Sequence, residues 1–360
     1  MTVEPEYSDW QGYWDQLTTQ VAGGDAPDIL QMDDVYLREY ADRDSLLDLT
    51  EVDTSGLDEN VVDTGRTEEG LFGITVGTNA LTIAANVDLF DEAGIDLPDD
   101  TTWTWDDYYE LSVELSENLE DAYGSSGATG DGMLQAWLRQ HGSTLVTEEG
   151  QLGLSEDQLT EYLTLTDEMI ADGGTPPIQL LSEAFDGGIE ERPVSTNMTA
   201  MGSIWSNELT SVANASGSEI ELLRLPSQAG TATENGVWMK PSQQLSVYAG
   251  TDHPEEAQLF IDFFVNSPEA GEILLTERGV PPNQEVLDHI LDDLEGYDQR
   301  SAEFLTEIED EVGEAEPVPP VGFSAVPDIL GRYEEEVYFD RMSAEEAASG
   351  FMAEAEDVLD

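Results

Sequence analysis

The sequence predicts an α/β fold with two domains, and two observations carry that prediction. Short apolar runs alternate with amphipathic helical patterns along almost the whole chain, which indicates α/β architecture with a mainly parallel sheet. The chain has 360 residues, which is enough for a substantial core divided over two domains. Its hydrophobic content of 39% and aromatic content of 8% fit a folded core, because a disordered acidic chain is poorer in both.

Local patterns place the elements in order. The first helix begins at a periodic apolar stripe and ends at a double-glycine stop signal, with the stripe at Trp10, Trp14, Leu17 and Val21. Capping boxes, or their aspartate variant, mark three later helix starts, at Thr104 with Asp107, Ser155 with Gln158 and Ser343 with Glu346. Strands are predicted over residues 2–7, 29–32, 71–76, 80–85, 199–204, 221–225 and 244–248.

Two strand-like segments meet in the stretch LFGITVGTNALTIAA, residues 71–85, with Gly77, Thr78 and Asn79 between them. This pattern fits an ordinary hairpin turn, and it equally fits a strand that passes from one domain to the other. The residues alone leave both interpretations open.

The charge of the chain excludes several classes of partner. There are 80 acidic residues against 11 basic ones, a formal net charge of −69, and Lys240 is the single lysine. Nucleic acid is excluded as an expected partner because phosphate binding needs clustered Lys and Arg, and docking on an anionic membrane surface is disfavoured for the same reason. The acid is spread along the whole chain, which predicts a globular protein whose surface is adapted to concentrated salt.

Metal and disulfide chemistry are not expected either. The chain has no cysteine, and His141, His253 and His289 lie far apart in the sequence without a ligand-spaced pair, so no metal or cofactor is predicted. No segment reaches the roughly 20 apolar residues of a membrane span. No signal peptide is visible, since residues 2–7 have the pattern of a strand and not of a basic-then-apolar leader.

A candidate ligand site follows from the strand at residues 29–32. That strand opens onto Asp33, Asp34 and Tyr36 just before another helical pattern. Open α/β sheets hold their ligands where strands end in such polar and aromatic residues. The sequence therefore predicts a ligand site near the start of the chain.

Several segments occur in an order typical of one family. They read VAGGDAPDILQMD, GITVGTNALTIAANVDLFDEAGI, TWTWDDYYEL, TAMGSIWSNEL, the segment that begins MKPSQQLSVYAG, and the closing segment that begins VPPVGF. Through these motifs, the chain resembles the extracellular sugar-binding proteins of ATP-binding-cassette (ABC) importers. The proteins it resembles are of the maltodextrin-binding type, and the resemblance covers nearly the whole chain.

The resemblance implies a two-lobed, periplasmic-binding-protein-like fold of type II, with hinge crossings and a ligand cleft. Lobe 1 is predicted to comprise residues 1–79 and 243–300, and lobe 2 residues 80–242 and 301–360. Family members begin with a further strand and helix, preceded by a signal peptide and often an anchor. We therefore expect that this sequence lacks the first strand and helix, and that the full-length form is extracellular and anchored at the cell surface.

The resemblance also implies function. It predicts a monomeric receptor that performs no chemistry, is not an enzyme, and hands a captured sugar or oligosaccharide to a membrane permease driven by a separate ATPase. Consistent with this, the chain has no GxxxxGK[ST] loop.

Sugar sites need flat apolar platforms for pyranose faces and polar groups for hydroxyls. Trp205 with Asn207, at the end of a predicted strand, could supply both, although a core role for the Trp is the alternative. In the family, loop carboxylates accept hydrogen bonds from sugar hydroxyls, which makes Asp33 and Asp34 candidates although any Asp here could be a solvated surface group. The remaining candidate contacts are Tyr36, Thr78, Asn79, Trp10, Tyr13, Trp238 and Phe323. For Arg139 and His141, a structural role is the favoured interpretation.

Two other functions stay open at this point. A carbohydrate-active hydrolase would need two carboxylates that flank a glycosidic bond, but 80 acidic residues make such pairs uninformative. A binding protein for another solute, such as a peptide, a polyamine or a metal chelate, is the second alternative, and the Trp-rich candidates favour sugar over it.

Overall fold

The computed structural model describes residues 2–147, 149–185, 188–313, 315 and 318–359. The strands are β1 (Ile29–Met32), β2 (Arg66–Thr67), β3 (Gly70–Leu71), β4 (Ile74–Asn79), β5 (Leu81–Asn86), β6 (Tyr123–Ser125), β7 (Thr199–Trp205), β8 (Ile220–Leu223) and β9 (Lys240–Val247). The helices are α1 (Trp10–Gly23), α2 (Asp34–Ala41), α3 (Glu59–Asp63), α4 (Val87–Ala93), α5 (Trp105–Asn118), α6 (Asp131–Gln140), α7 (Glu156–Ala171), α8 (Ile178–Phe185), α9 (Leu209–Ser216), α10 (Pro254–Asn266), α11 (Pro268–Leu274), α12 (Gln284–Ile290), α13 (Gly296–Glu307), α14 (Val326–Tyr338) and α15 (Ala344–Leu359).

The chain divides into two compact units. Unit 1 comprises Met1–Thr78, Pro241–Asp293 and Glu316–Pro319, and unit 2 comprises Asn79–Lys240, Leu294–Ala315 and Pro320–Asp360. The chain passes from one unit to the other after Thr78 and again after Lys240. The lobe boundaries expected from the sequence stay a prediction. That the units act as ligand-clamping lobes stays a prediction.

Unit 1 is built on a sheet with the strand order β1-β9-β4. β1 and β9 are antiparallel, with Ile29 opposite Val247 and Met32 opposite Gln244. Successive side chains of a strand point to opposite faces, so Leu30 and Met32 join one hydrophobic cluster with Trp14 and Leu37 of α1 and α2, whereas Ile29 packs against a second cluster that contains Val247. Apolar side chains therefore pack on both faces of this sheet.

Unit 2 is built on a four-stranded sheet with the order β6-β7-β5-β8. Every residue of β5 is buried, as expected for a strand with a neighbour on each side. β5 pairs antiparallel with β7, which places Leu81 opposite Trp205. Helices α7, α14 and α15 pack against one another in the same unit. The three predicted capping boxes form at the starts of α5, α7 and α15.

Two expectations about the strands are wrong. Residues 2–9 form no regular structure, and Tyr7 is 91% exposed, because a strand needs a hydrogen-bonding neighbour and the described residues pair β1 only with β9. The sheets are also not mainly parallel: β6 and β7 pair parallel, whereas β1 with β9, β5 with β7 and β5 with β8 are antiparallel. Alternation along the chain shows that strands and helices are present, but not which strands become neighbours.

The segment around Gly77 is a crossing and not a hairpin, because β4 and β5 belong to different sheets. The last residues of β4 within unit 1 lie close to residues 278–280. Thr78 exchanges backbone hydrogen bonds with Val280 at 2.9 and 3.0 Å, and a Cβ atom at Gly77 would lie 1.9 Å from the carbonyl oxygen of Arg278. Only glycine lets the two backbones approach this closely.

Candidate ligand-binding site

The largest exposed aromatic surface among the predicted site residues of unit 2 belongs to Trp205, at the last position of β7. Its indole meets that of Trp238 edge-on, with 6.1 Å between ring centroids and 81° between planes. Trp205 is partly exposed, whereas Trp238 is only 6% exposed and supports its neighbour from the side. Perpendicular aromatic pairs of this kind hold both rings in fixed orientations. We call Trp205 and Trp238 the tryptophan pair.

Two cations lie beside the tryptophan pair. The ammonium of Lys240 lies 5.6 Å from the centroid of Trp205, and the guanidinium of Arg139 lies 5.4 Å from the centroid of Trp238. Both distances are within the range of cation–π attraction. Arg139 is also closely packed, since a Cβ atom at Gly313 would lie 2.3 Å from its Nη2 atom.

The beginning of α6 packs against the indole of Trp205. A Cβ atom at Gly132 would lie 3.3 Å from Cζ2 of Trp205, so a larger residue there would press on the ring. Two residues earlier, Gly130 is held from both sides: its N–H donates to Oε1 of Glu334 at 2.9 Å, and its carbonyl accepts from the hydroxyl of Tyr162 at 3.1 Å. Gly130 has a φ of 85°, which favours glycine.

Glu334 is a buried carboxyl group of α14. Burial raises its pKa to about 7, the hydrogen bond from Gly130 lowers that pKa, and the nearby charge of Asp131 raises it. The raised pKa favours the protonated form of this carboxyl group more than in an ordinary glutamate. Nothing in the sequence marks Glu334, because one more glutamate in so acidic a chain gives no signal.

A pair of amides lies at the first crossing, where β5 begins beside the end of β7. Nδ2 of Asn79 donates to Oδ1 of Asn207 at 2.7 Å. Oδ1 of Asn79 is buried and, among the described residues, accepts no hydrogen bond. The structure thus brings together two of the predicted polar contacts, and a buried acceptor without a donor is costly unless something donates to it.

In unit 1 the predicted carboxylate Asp33 caps α2. Its Oδ1 accepts from the N–H of Val35 at 3.2 Å and its Oδ2 accepts from Nε2 of Gln243 at 3.0 Å. Gln243 in turn accepts from Gln31 at 3.3 Å, and Gln31 accepts from Arg278 at 3.2 Å. Gln243 and Arg278 were missed from sequence, because each lies more than 200 residues along the chain from Gln31 and Asp33.

The aromatic candidates of unit 1 surround the buried Trp14. Tyr36 stacks on Trp14 with 3.8 Å between centroids, and Trp10 meets Trp14 edge-on at 5.5 Å. The hydroxyl of Tyr13 donates to the carbonyl of Gln31 at 2.8 Å, and burial raises the pKa of Tyr13 to about 12. Tyr13 and Tyr36 are therefore edges of the core cluster with part of their surface exposed, whereas Trp10 is 53% exposed.

The remaining candidates have mainly structural contacts. Thr78 belongs to the backbone pairing with Val280, and Phe323 is only 8% exposed. Asp34 begins α2 and its carboxylate accepts from the N–H of Val35 at 3.1 Å. Nδ1 of His141 is 2.8 Å from the carbonyl oxygen of Trp137, which fits the structural interpretation of that histidine. For all of these residues a ligand contact stays a prediction.

Comparison with known proteins identifies the family. The sequence pattern described as "Bacterial extracellular solute-binding protein" matches residues 2–271, three quarters of the chain. The chain belongs to this family. Solute binding, and not turnover, is the activity that this description names. None of the described helices has the length and apolar composition required to cross a lipid bilayer.

Solved structures of solute-binding proteins share the fold. The chain is similar to a family 1 extracellular solute-binding protein from Alicyclobacillus acidocaldarius, with 25% identity, a TM-score of 0.72, and coverage of 97% of this chain and 88% of the other. It is similar to a periplasmic oligogalacturonide-binding protein from Yersinia enterocolitica in complex with saturated digalacturonic acid, with 22% identity, a TM-score of 0.85 and coverage of 99% and 91%. An ABC substrate-binding protein from Listeria monocytogenes in complex with cycloalternan gives 21% identity, a TM-score of 0.82 and coverage of 98% and 90%.

For a solute-binding protein, the geometry of unit 2 offers shape and polarity. The tryptophan pair supplies an apolar face, and the Asn79–Asn207 pair supplies amide donors and acceptors. Within the described part of the chain, no group of three or more His, Cys, Asp or Glu side chains could hold a metal ion. The arrangement is suited to the recognition of a neutral or charged polyhydroxy ligand.

Proposed function

We propose that this solute-binding protein is an extracellular sugar receptor that binds a monosaccharide or oligosaccharide and releases it unchanged to the permease of an ABC importer. The observation that carries the proposal is the tryptophan pair, with the partly exposed indole of Trp205 at the end of β7. Pyranose rings present flat C–H faces, and an indole is the largest flat apolar surface that a side chain provides.

The amides beside β7 support the same function. Asn207 and Asn79 present both donors and acceptors, and the buried Oδ1 of Asn79 would gain a donor from a sugar hydroxyl. In unit 1, we propose a second set of sugar contacts from Asp33, Asp34 and Tyr36, with Trp10, Tyr13 and Thr78 as further candidates. Trp238 and Phe323 complete the set in unit 2, with Trp238 acting through its contact with Trp205.

The ligands named for two of the structural relatives favour sugar over other solutes. The Yersinia protein binds an oligogalacturonide and the Listeria protein was solved with cycloalternan, and both cover nearly all of this chain. We propose no catalytic residues, because the matched family is described by solute binding.

The direct test is a calorimetric screen in molar salt against sugars, amino acids and oligopeptides, followed by product analysis after long incubation. We expect stoichiometric binding of at least one sugar with no product. Binding of peptides alone would refute the sugar assignment. Turnover that a single carboxylate substitution abolishes would establish a hydrolase instead.

A further inference from the structure

One buried carboxyl group of unit 2 has a backbone N–H as its partner. Glu334, on α14, is 6% exposed, and its Oε1 accepts from the N–H of Gly130 at 2.9 Å. Glutamate is almost never fully buried without a partner, because burial of a charged group is costly unless hydrogen bonds compensate it. The partner in this case is the residue at which α6 begins, so the carboxyl group joins two helices of the same unit.

The start of α6 has no side-chain cap of its own. Gly130 occupies the N-cap position with a φ of 85°, and no side chain caps the helix. Its N–H donates to Glu334, and its carbonyl accepts from the hydroxyl of Tyr162 on α7 at 3.1 Å and from the N–H of Leu134 at 3.0 Å. The position of this helix start therefore depends on side chains of α14 and α7.

The first turn of α6 lies directly beside the indole of Trp205. A Cβ atom at Gly132 would lie 3.3 Å from Cζ2 of Trp205 and 3.6 Å from Cδ2 of Leu81. Leu81 is the residue of β5 that pairs with Trp205 across the sheet. Protein interiors are close-packed, so a displacement of this turn either presses on the indole or removes its support.

We propose that Glu334 is a positioning residue for the sugar site, because it holds the first turn of α6 against Trp205 and thereby sets the affinity for the sugar. This rests on the proposed sugar-binding function. A hydrogen bond to a charged acceptor is roughly twice as strong as one to a neutral acceptor, and the positive end of the α6 dipole also attracts a carboxylate. The ionised form of Glu334 therefore supports the indole more firmly than the protonated form does.

The groups that face Glu334 come from three helices. Burial raises its pKa to about 7, the hydrogen bond from Gly130 lowers that pKa, and the charge of Asp131 on α6 raises it. Tyr162 on α7 and Tyr338 on α14 also face Glu334, and burial raises the pKa of both hydroxyls well above the usual range. Both tyrosines therefore stay protonated while Glu334 ionises.

The charged neighbours of Glu334 along α14 have partners on other helices. Glu335 accepts from the hydroxyl of Ser182 on α8 at 2.6 Å, and Arg332 pairs with Glu354 on α15 at 2.7 Å. These two contacts belong to the packing of α14 against α8 and α15, whereas the contact of Glu334 belongs to α6.

The test is calorimetry in molar salt between about pH 5.5 and 8.5, with the sugar identified in the screen. We expect the affinity of the wild type to rise roughly threefold or more as pH increases through 7, because ionisation strengthens the hydrogen bond to Gly130. Binding should then release protons, which calorimetry in two buffers of different ionisation enthalpy measures. An affinity that stays constant or falls with pH would overturn the inference and leave the sugar-receptor function standing. Absence of sugar binding at every pH would overturn both.

Glu334→Gln separates this contact from other effects of pH. The amide keeps an acceptor for the N–H of Gly130 but cannot ionise, so we expect the affinity of this variant to stay at the low-pH value of the wild type throughout. Glu335→Gln is the matched control, because it removes the adjacent carboxylate of the same helix, and it should keep the wild-type pH dependence. A Glu334→Gln protein whose affinity and proton release vary with pH as in the wild type would contradict the inference.

Discussion

Trp205 owes its exposed face to its position at the end of β7. Its backbone pairs with Leu81 of the buried strand β5, its ring edge meets Trp238, and the start of α6 lies beside it. These contacts restrict the rotamers of the indole, so a ligand that packs on it loses little affinity to the ordering of this side chain. A ring held in this way is suited to be an energetically dominant contact.

We expect Trp205→Ala to lower sugar affinity at least tenfold, which corresponds to about 1.4 kcal/mol, because the variant loses the flat apolar surface. Calorimetry with the sugar identified in the screen measures the change. Trp205→Phe serves as the matched control and should retain more of the affinity, because it keeps a smaller aromatic face. Unchanged affinity in a folded Trp205→Ala protein would refute the assignment.

At the scale of elements, α14 holds the beginning of α6 through one buried carboxyl group. Glu334 accepts from the N–H of Gly130, and Gly132 then brings α6 against Trp205. The positive end of the α6 dipole favours the charged form of Glu334, but burial and the charge of Asp131 oppose it more strongly. The raised pKa makes the stability of unit 2 depend on pH.

The direction in which stability changes with pH follows from the linkage between proton binding and folding. Because the pKa of Glu334 is about 7 in the folded protein against 4.5 ordinarily, its contribution to stability is fully present below pH 4.5 and is lost as pH rises through 7. The loss is of the order of 3 kcal/mol. Glu334→Gln, which can still accept from Gly130, should therefore become more stable than wild type as pH rises from 5 to 8. Thermal unfolding at both pH values measures this, and a stability difference that does not change with pH would contradict it.

At the scale of the whole molecule, the dominant property is the negative charge. With 80 acidic residues spread over the chain and a net charge of −69, mutual repulsion destabilises the compact state in dilute buffer. The surface arginine–glutamate pairs, such as Arg332 with Glu354, offset little of this, because exposed pairs contribute at most about 1 kcal/mol each. Salt screens the same repulsion between carboxylates.

We expect the melting temperature to rise steadily as KCl increases from about 0.1 to 3 M, because screening weakens the repulsion between carboxylates. Differential scanning calorimetry measures the rise. Sucrose is the control, since it stabilises compact states by exclusion from the protein surface and cannot screen charge. A melting temperature independent of salt, or an equal rise in sucrose, would contradict adaptation to concentrated salt.

Much of the fold could be predicted from local pattern, and the reasons are physical. The stripe on α1 and the capping boxes of α5, α7 and α15 involve residues three or four apart, whose geometry the helix itself fixes. The strand expected at residues 2–7 was wrong, because strand formation depends on a neighbour elsewhere in the chain. The same reason explains why the antiparallel pairing of β5 with β7 was missed.

For the candidate site too, local sequence patterns predict some features and tertiary contacts decide the others. The sequence by itself determined the family, the α/β class, the acidic composition and the position of Trp205 at a strand end, because motifs, composition and strand ends are local properties. Only the tertiary structure decided that the single lysine lies over Trp205, that Trp238 braces it, and that a buried Glu334 holds the helix beside it. These contacts join segments from 30 to about 200 residues apart, and no local pattern specifies which of them the folded core brings together.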